Sequence, residues 1–141
     1  MSIFQTPNVP EEYENKFNPL VIAEDLMIRG HAEQVDKAGK PYYQHPLRVC
    51  LDVLTLEQCT PEMAIAALLH DVFEDTSISE NEVYSALSRT RIWYSEFIEA
   101  LRLLNRDYPD GKKKSTLEYY GAISKNQIAL AVKLADMRDN L

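Results

Sequence analysis

Residues 67–76 read ALLHDVFEDT, an apolar stretch that ends in one histidine and three acids: His70, Asp71, Glu74 and Asp75. On a helix, residues three and four apart share a face, so His70 is expected over Glu74, and Asp71 over both Glu74 and Asp75. Close to a core these groups are costly when unpaired, and adjacent carboxylates repel one another; a cation resolves both problems. A solvated helix tip would account for a lone His-Asp pair, but here the pattern is longer and the chain supplies more ligand types. His45 stands in YYQHPLRV and Asp136 in VKLADMRDN. Together His45, His70, Asp71 and Asp136 offer two nitrogen and two oxygen ligands. That mixture suits a first-row divalent ion that keeps water positions open better than a closed structural zinc site.

Bringing these residues together requires several helices. Leu20, Ala23, Met27 and Gly30 or His31 recur at three and four spacing, which predicts a first helix over 18–36, ended by the turn residues Gly39 and Pro41. A second helix starts at HPLRVCLDVLTL, with Pro46 in its first turn. TPEMAIAALLHDVFED predicts a third, with Thr60 as N-cap and Pro61 at the first helical position. Later helices are expected over about 79–88, 94–105, 115–124 and 126–139. Alternating strand patterns are absent, so the expected class is all-α.

Composition narrows the function. The 141 residues, 45% apolar and 26% charged, suit one globular unit and are too apolar for disorder. No apolar run approaches membrane-spanning length, and the first residues lack a signal-peptide layout, so a cytoplasmic location with no membrane partner is expected. Cys50 and Cys59 are expected as reduced thiols. A net charge of −7 argues against a nucleic-acid-coating protein, though a small anionic ligand held by local cations remains compatible.

HP at 45–46, HDVFED at 70–75 and VKLADMRDN at 132–140 resemble the HD-domain phosphohydrolases, in particular the hydrolase domain of the RelA/SpoT homologues and the small alarmone hydrolases. KAGKPYYQHPLRV is similar to that family's Lys-x-Gly-x-Pro-Tyr segment, and the likeness runs over about residues 20–141. It implies an HD-domain helical bundle over 18–141, preceded by an N-terminal extension, 1–17. It also implies a single metal ion, usually manganese (Mn2+), held by His45, His70, Asp71 and Asp136. Glu74 and Asp75 match the acidic pair that orients and activates water, with Glu74 first. Lys37, Tyr42 and Asn140 match nucleotide-contacting positions; packing is the simpler role for Tyr42. The implied activity is removal of the 3′-pyrophosphate from (p)ppGpp to give GDP or GTP, the alarmone chemistry of the stringent response. Alternatives are a phosphohydrolase acting on another nucleotide and a non-catalytic nucleotide-binding sensor.

The chain departs from the family pattern at Asp36, where a basic residue is common before the lysine, and at Met137, with Arg138 displaced by one. It also stops one residue after Asn140, where the family continues with further helices. A synthetase activity is not expected, since no βα pattern or room for a second domain is present. His31 is expected to pack or hydrogen-bond in the core, Trp93 and Tyr94 to be core residues, and Lys112, Lys113 and Lys114 to form a solvated loop. The sequence leaves Tyr119 and Tyr120 open between packing and the pocket edge.

Overall fold

The computed structural model describes residues 18–141. The segment 1–17, expected as an N-terminal extension, lies outside the described residues. In chain order the helices are α1 (Pro19–Gly30), α2 (Gln44–Leu54), α3 (Pro61–Leu69), the single turn α4 (Val72–Asp75), α5 (Glu80–Leu87), α6 (Tyr94–Leu104), α7 (Thr116–Ser124) and α8 (Gln127–Asp139). Among the described residues the only β pairing is two isolated bridges, Val35 with Pro41 and Asp107 with Lys113. The fold is all-α, as expected.

α3 is the axis of the bundle. Its sequence, PEMAIAALL, is apolar on every side, so it is stable only when surrounded. Every residue from Glu62 to Leu69 is buried, and α1, α2, α6 and α8 pack around it. Leu68, Leu69 and Ile65 are fully buried, and each such side chain contributes roughly 1.5–3 kcal/mol relative to exposure. Thr60 caps the helix by accepting the Met63 N–H at 3.2 Å, with Pro61 in the first turn. Asn18 Oδ1 accepts the Leu20 N–H, Ser115 Oγ the Glu118 N–H and Asn126 Oδ1 the Ala129 N–H. Caps of this kind are worth about 1 kcal/mol each, and they start α1, α7 and α8 within a residue or so of the expected positions.

Three expectations are corrected. First, α1 ends at Gly30 rather than near residue 36. There His31 becomes the C-cap, its ring Nδ1 bonds Gln34 Oε1 at 2.8 Å, and the chain turns through Val35–Pro41. Gly39 closes that turn at φ 80°, a conformation glycine adopts without cost. Second, the helix expected to run through residue 75 breaks at His70 and Asp71. The His70 ring donates Nδ1–H to the Ala67 carbonyl at 2.7 Å, the group that the Asp71 N–H would use in an unbroken helix. His70 therefore does not stack over Glu74 on one continuous helix. Third, Trp93 is 70% exposed. It stands before the first turn of α6, outside the face formed by Phe97, Ile98, Leu101 and Leu104 that meets the core. Tyr94 is half-buried and packs edge-on against Tyr84 and Phe97.

His31 is fully buried, as expected. Both cysteines are free, and burial pushes the Cys50 thiol up to about 12, leaving it unreactive. Lys112 and Lys113 are exposed, while Lys114 bonds the Arg102 carbonyl at 2.9 Å.

Candidate metal centre and active site

The break between α3 and α4 turns two side chains of one short motif in different directions. His70, at the end of α3, points into the bundle and is buried. Because its Nδ1–H is committed to the Ala67 carbonyl, the ring's free nitrogen is Nε2. Nε2 lies 3.1 Å from Asp71 Oδ2 and 3.4 Å from Asp136 Oδ1. Neither oxygen is placed to take a hydrogen bond from it, so it is a buried nitrogen without a hydrogen-bond partner, though both charges lie close.

His45 enters from the first turn of α2. Its Nε2 lies 2.8 Å from Asp136 Oδ1, and its ring meets that of His70 at 5.4 Å. One ligand atom from each of His45, His70 and Asp136 falls within 4.8 Å of the others, so the cluster could hold a metal ion. Asp71 borders it: Oδ2 is 4.0 Å from His45 Nε2 and accepts the Tyr42 hydroxyl at 2.5 Å. With Asp71 at its edge, the cluster offers two imidazole nitrogens, one of them the orphaned His70 Nε2, and two carboxylates, a donor set that fits a borderline divalent cation.

The charges point the same way. Burial pulls the His70 imidazolium pKa down, but the neighbouring Asp71 and Asp136 carboxylates raise it further, to about 10. Burial of Asp136 is likewise outweighed, by the two histidines and Lys133, and its carboxyl is held well below the usual carboxylate range. The site thus keeps a positive charge at the position where the ligands converge.

A cavity of about 750 Å³ opens on this cluster. Asp36, Asp71, Glu74, Asp136 and Asp139 supply five carboxylates to its wall, against the permanent cations Lys37, Arg48 and Lys133. Such a wall would repel a phosphate group unless a multivalent cation offset it.

Glu74 lines the cavity, and its Oε1 accepts the Arg106 backbone N–H. Burial raises its pKa, partly offset by that N–H and reinforced by Asp71 and Asp75. Asp75 is exposed and does not line the cavity; its carbonyl accepts from Gln34 Nε2 at 2.7 Å. Lys37 stands exposed at the rim. Asn140 caps α8 and lines the cavity, with Nδ2 3.3 Å from Asp136 Oδ1. The Tyr42 ring packs between His31 and His45, at 4.9 and 5.8 Å, while its hydroxyl serves Asp71. Tyr119 is buried and bonds the Leu104 carbonyl, and neither it nor Tyr120 lines the cavity.

Three residues at the site were not singled out in the sequence. Asp139 Oδ2 takes the His45 Nδ1–H at 2.6 Å, Arg48 grips Asp139 at 2.8 and 3.1 Å, and Lys133 Nζ meets Asp136 Oδ2 at 3.1 Å. Their signal was helical spacing: Lys133 and Asp139 lie three residues either side of Asp136, and Arg48 three after His45.

No family model matches the chain. Known proteins do. Over 140 residues, 89% of this chain, it is 30% identical to a probable guanosine-3′,5′-bis(diphosphate) 3′-pyrophosphohydrolase of Mycoplasma pneumoniae. Over 134 residues, 93% of this chain, it is 30% identical to the guanosine-3′,5′-bis(diphosphate) 3′-pyrophosphohydrolase of Borreliella burgdorferi. It is also 27% identical over 115 residues, 79% of this chain, to the bifunctional (p)ppGpp synthase/hydrolase SpoT of Escherichia coli. The chain is homologous to the (p)ppGpp 3′-pyrophosphohydrolase domain of RelA/SpoT proteins. It spans 19%, 19% and 16% of the length of these three RelA/SpoT-type relatives. The all-α bundle with a His/His/Asp cluster between its helices is consistent with an HD-type fold. No helix among the described residues is long and apolar enough to cross a membrane.

Proposed function

We propose that this chain is a metal-dependent HD phosphohydrolase that removes the 3′-pyrophosphate from (p)ppGpp, giving GDP or GTP and pyrophosphate. The observation that carries the proposal is the buried Nε2 of His70, without a hydrogen-bond partner, set among His45, Asp71 and Asp136, which themselves line a cavity together with Glu74. His45, His70, Asp71 and Asp136 are the proposed ligands of one divalent ion, manganese in our proposal. When bound, it would lower the pKa of a water and polarise a phosphoryl oxygen.

The protein's own groups do the rest. Glu74 accepts the water proton on the carboxylate oxygen that the Arg106 N–H does not hold; its raised pKa brings it closer to neutrality, which suits a general base. Asp75, pointing to solvent one residue on, is assigned a supporting electrostatic part. Lys133 sets positive charge on the cavity wall against phosphoryl oxygens, Lys37 does so at the rim, and Asn140 offers its side-chain amide to the nucleotide. Tyr42 acts through Asp71, whose orientation its hydroxyl fixes.

One observation favours a second reading, hydrolysis of a different nucleotide. Asp36 lines the cavity with its Oδ1 accepting the Ala38 and Lys40 N–H groups at 2.8 and 2.9 Å, so a carboxylate stands where the resembled family commonly carries a cation. Incubation of the purified protein with ppGpp and manganese, with a chelator control and anion-exchange separation, distinguishes the two. Metal-dependent appearance of GDP and pyrophosphate is expected. Intact ppGpp alongside bound manganese would transfer the assignment to another nucleotide.

A further inference from the structure

The two candidate metal histidines are held by different devices. His70 gives its Nδ1–H to a neutral backbone carbonyl within its own helix. His45 gives its Nδ1–H to a carboxylate, Asp139 Oδ2, at 2.6 Å, and that contact crosses from α2 to α8. Asp139 lies on the Nδ1 side of the ring, opposite the Nε2 that meets Asp136, so it is placed behind the ligand rather than among the ligands. It is in turn gripped by Arg48, whose Nε meets Oδ1 at 2.8 Å and Nη2 meets Oδ2 at 3.1 Å. That two-point contact fixes the carboxylate plane and offsets its charge. α2 has no side-chain cap at Tyr43, and Asp139 is the hydrogen-bond partner on the Nδ1 side of the His45 ring.

We propose that Asp139, locked by Arg48, is the positioning residue for His45 as a metal ligand, an inference that rests on the metal-dependent function above. A carboxylate behind a ligating histidine selects the tautomer, sets the ring plane and makes the outward nitrogen a better donor; losing such a partner typically costs about 10–100-fold in metal affinity. A plain ion pair tying α2 to α8 would do none of this. Arg48 is half exposed, and pairs of that kind contribute about 1 kcal/mol or less to stability.

The test uses the intact chain and four variants, Asp139→Ala, Asp139→Asn, Arg48→Ala and the double Arg48→Ala/Asp139→Ala, with folding checked by thermal melting. Cobalt affinity is measured by competition with a chromophoric chelator, and the His45 Nδ1–H resonance is followed by 15N-edited NMR in metal-free protein. Asp139→Ala should lose about 10–100-fold in cobalt affinity and the protected Nδ1–H resonance. Asp139→Asn, which keeps a neutral acceptor, should recover the resonance and most of the affinity. Arg48→Ala should lose less than Asp139→Ala, and the double variant no more than Asp139→Ala, since Arg48 acts only through Asp139.

Cobalt binding and the Nδ1–H resonance both unchanged in Asp139→Ala would overturn the role of Asp139 alone. An additive loss in the double variant would overturn the part given to Arg48. Wild-type protein that takes up no cobalt would sink the metal-dependent function, and this role with it.

Discussion

Loading the site with a divalent cation should expel at least one proton near neutral pH. In metal-free protein, burial lowers the His70 imidazolium pKa, and the Asp71 and Asp136 carboxylates more than reverse this, lifting it from the ordinary 6.5 to about 10. His45 is also raised, its burial outweighed by Asp136 and Asp139. At about pH 7.5 the His70 proton is therefore bound, and a cation that needs the Nε2 lone pair must displace it. Each factor of ten in proton affinity is worth about 1.4 kcal/mol, so the displacement costs on the order of 3 kcal/mol at that pH. His70 accounts for that one proton. Apparent manganese affinity should then climb about tenfold or more per pH unit between roughly 6.5 and 8.5.

The assay is titration calorimetry in two buffers of different ionisation enthalpy, which gives the proton count directly. The same shift has a stability signature in metal-free protein. A histidine whose folded pKa is raised contributes stability that is complete below 6.5 and disappears as pH rises toward about 10. Asp136 works in the opposite window, contributing above its ordinary 3.8 and losing that contribution as acid titrates its depressed carboxyl. Metal-free protein should melt lower at alkaline than at neutral pH, and manganese should remove the difference. A proton count near zero with affinity flat across that range would refute the charge balance assigned to His70.

Two further outcomes are expected. Asp71→Ala should abolish manganese binding, whereas Glu74→Gln should keep manganese affinity within about threefold and lower turnover by roughly 10²–10⁴, as read by equilibrium dialysis alongside steady-state hydrolysis; equal metal loss in both would remove the division of roles. Leu68→Ala, at a fully buried position of the axial helix, should cost about 2–5 kcal/mol in urea unfolding, and a loss below about 1 kcal/mol would contradict the central place of α3.

Most of the helical framework was legible because its signals are local. Thr60 with Pro61, Ser115 with Glu118 and Asn126 with Ala129 are caps whose chemistry is complete within four residues. The convergence of His45, His70 and Asp136 was legible as a set of ligand types, though their mutual distances come only from packing α2, α3 and α8 together. What escaped was set by side chains acting against the local rule. The His70 ring takes a main-chain carbonyl and breaks a helix whose apolar period runs on, so the expected stacking of His70 over Glu74 is lost. α1 ends early at Gly30, with His31 as its C-cap and the His31 ring bonded to Gln34. Arg48 and Asp139 are 91 positions apart, and nothing in either neighbourhood announces the other. Trp93 was misplaced because large apolar residues are usually covered, and its own position before α6 decides otherwise.

His45 and Asp136 stand 91 positions apart, with His70 between them in the chain. An ion gripping all three would therefore act as a clasp, joining the start of α2 to the end of α8 across most of the described chain. Like any ligand bound only by the native state, it would add RT ln(1 + [L]/Kd) to the folding free energy, about 2.7 kcal/mol at a hundredfold excess over Kd. Depletion of the ion would then remove that contribution, and the tie between the start of α2 and the end of α8 would loosen over the same concentration range.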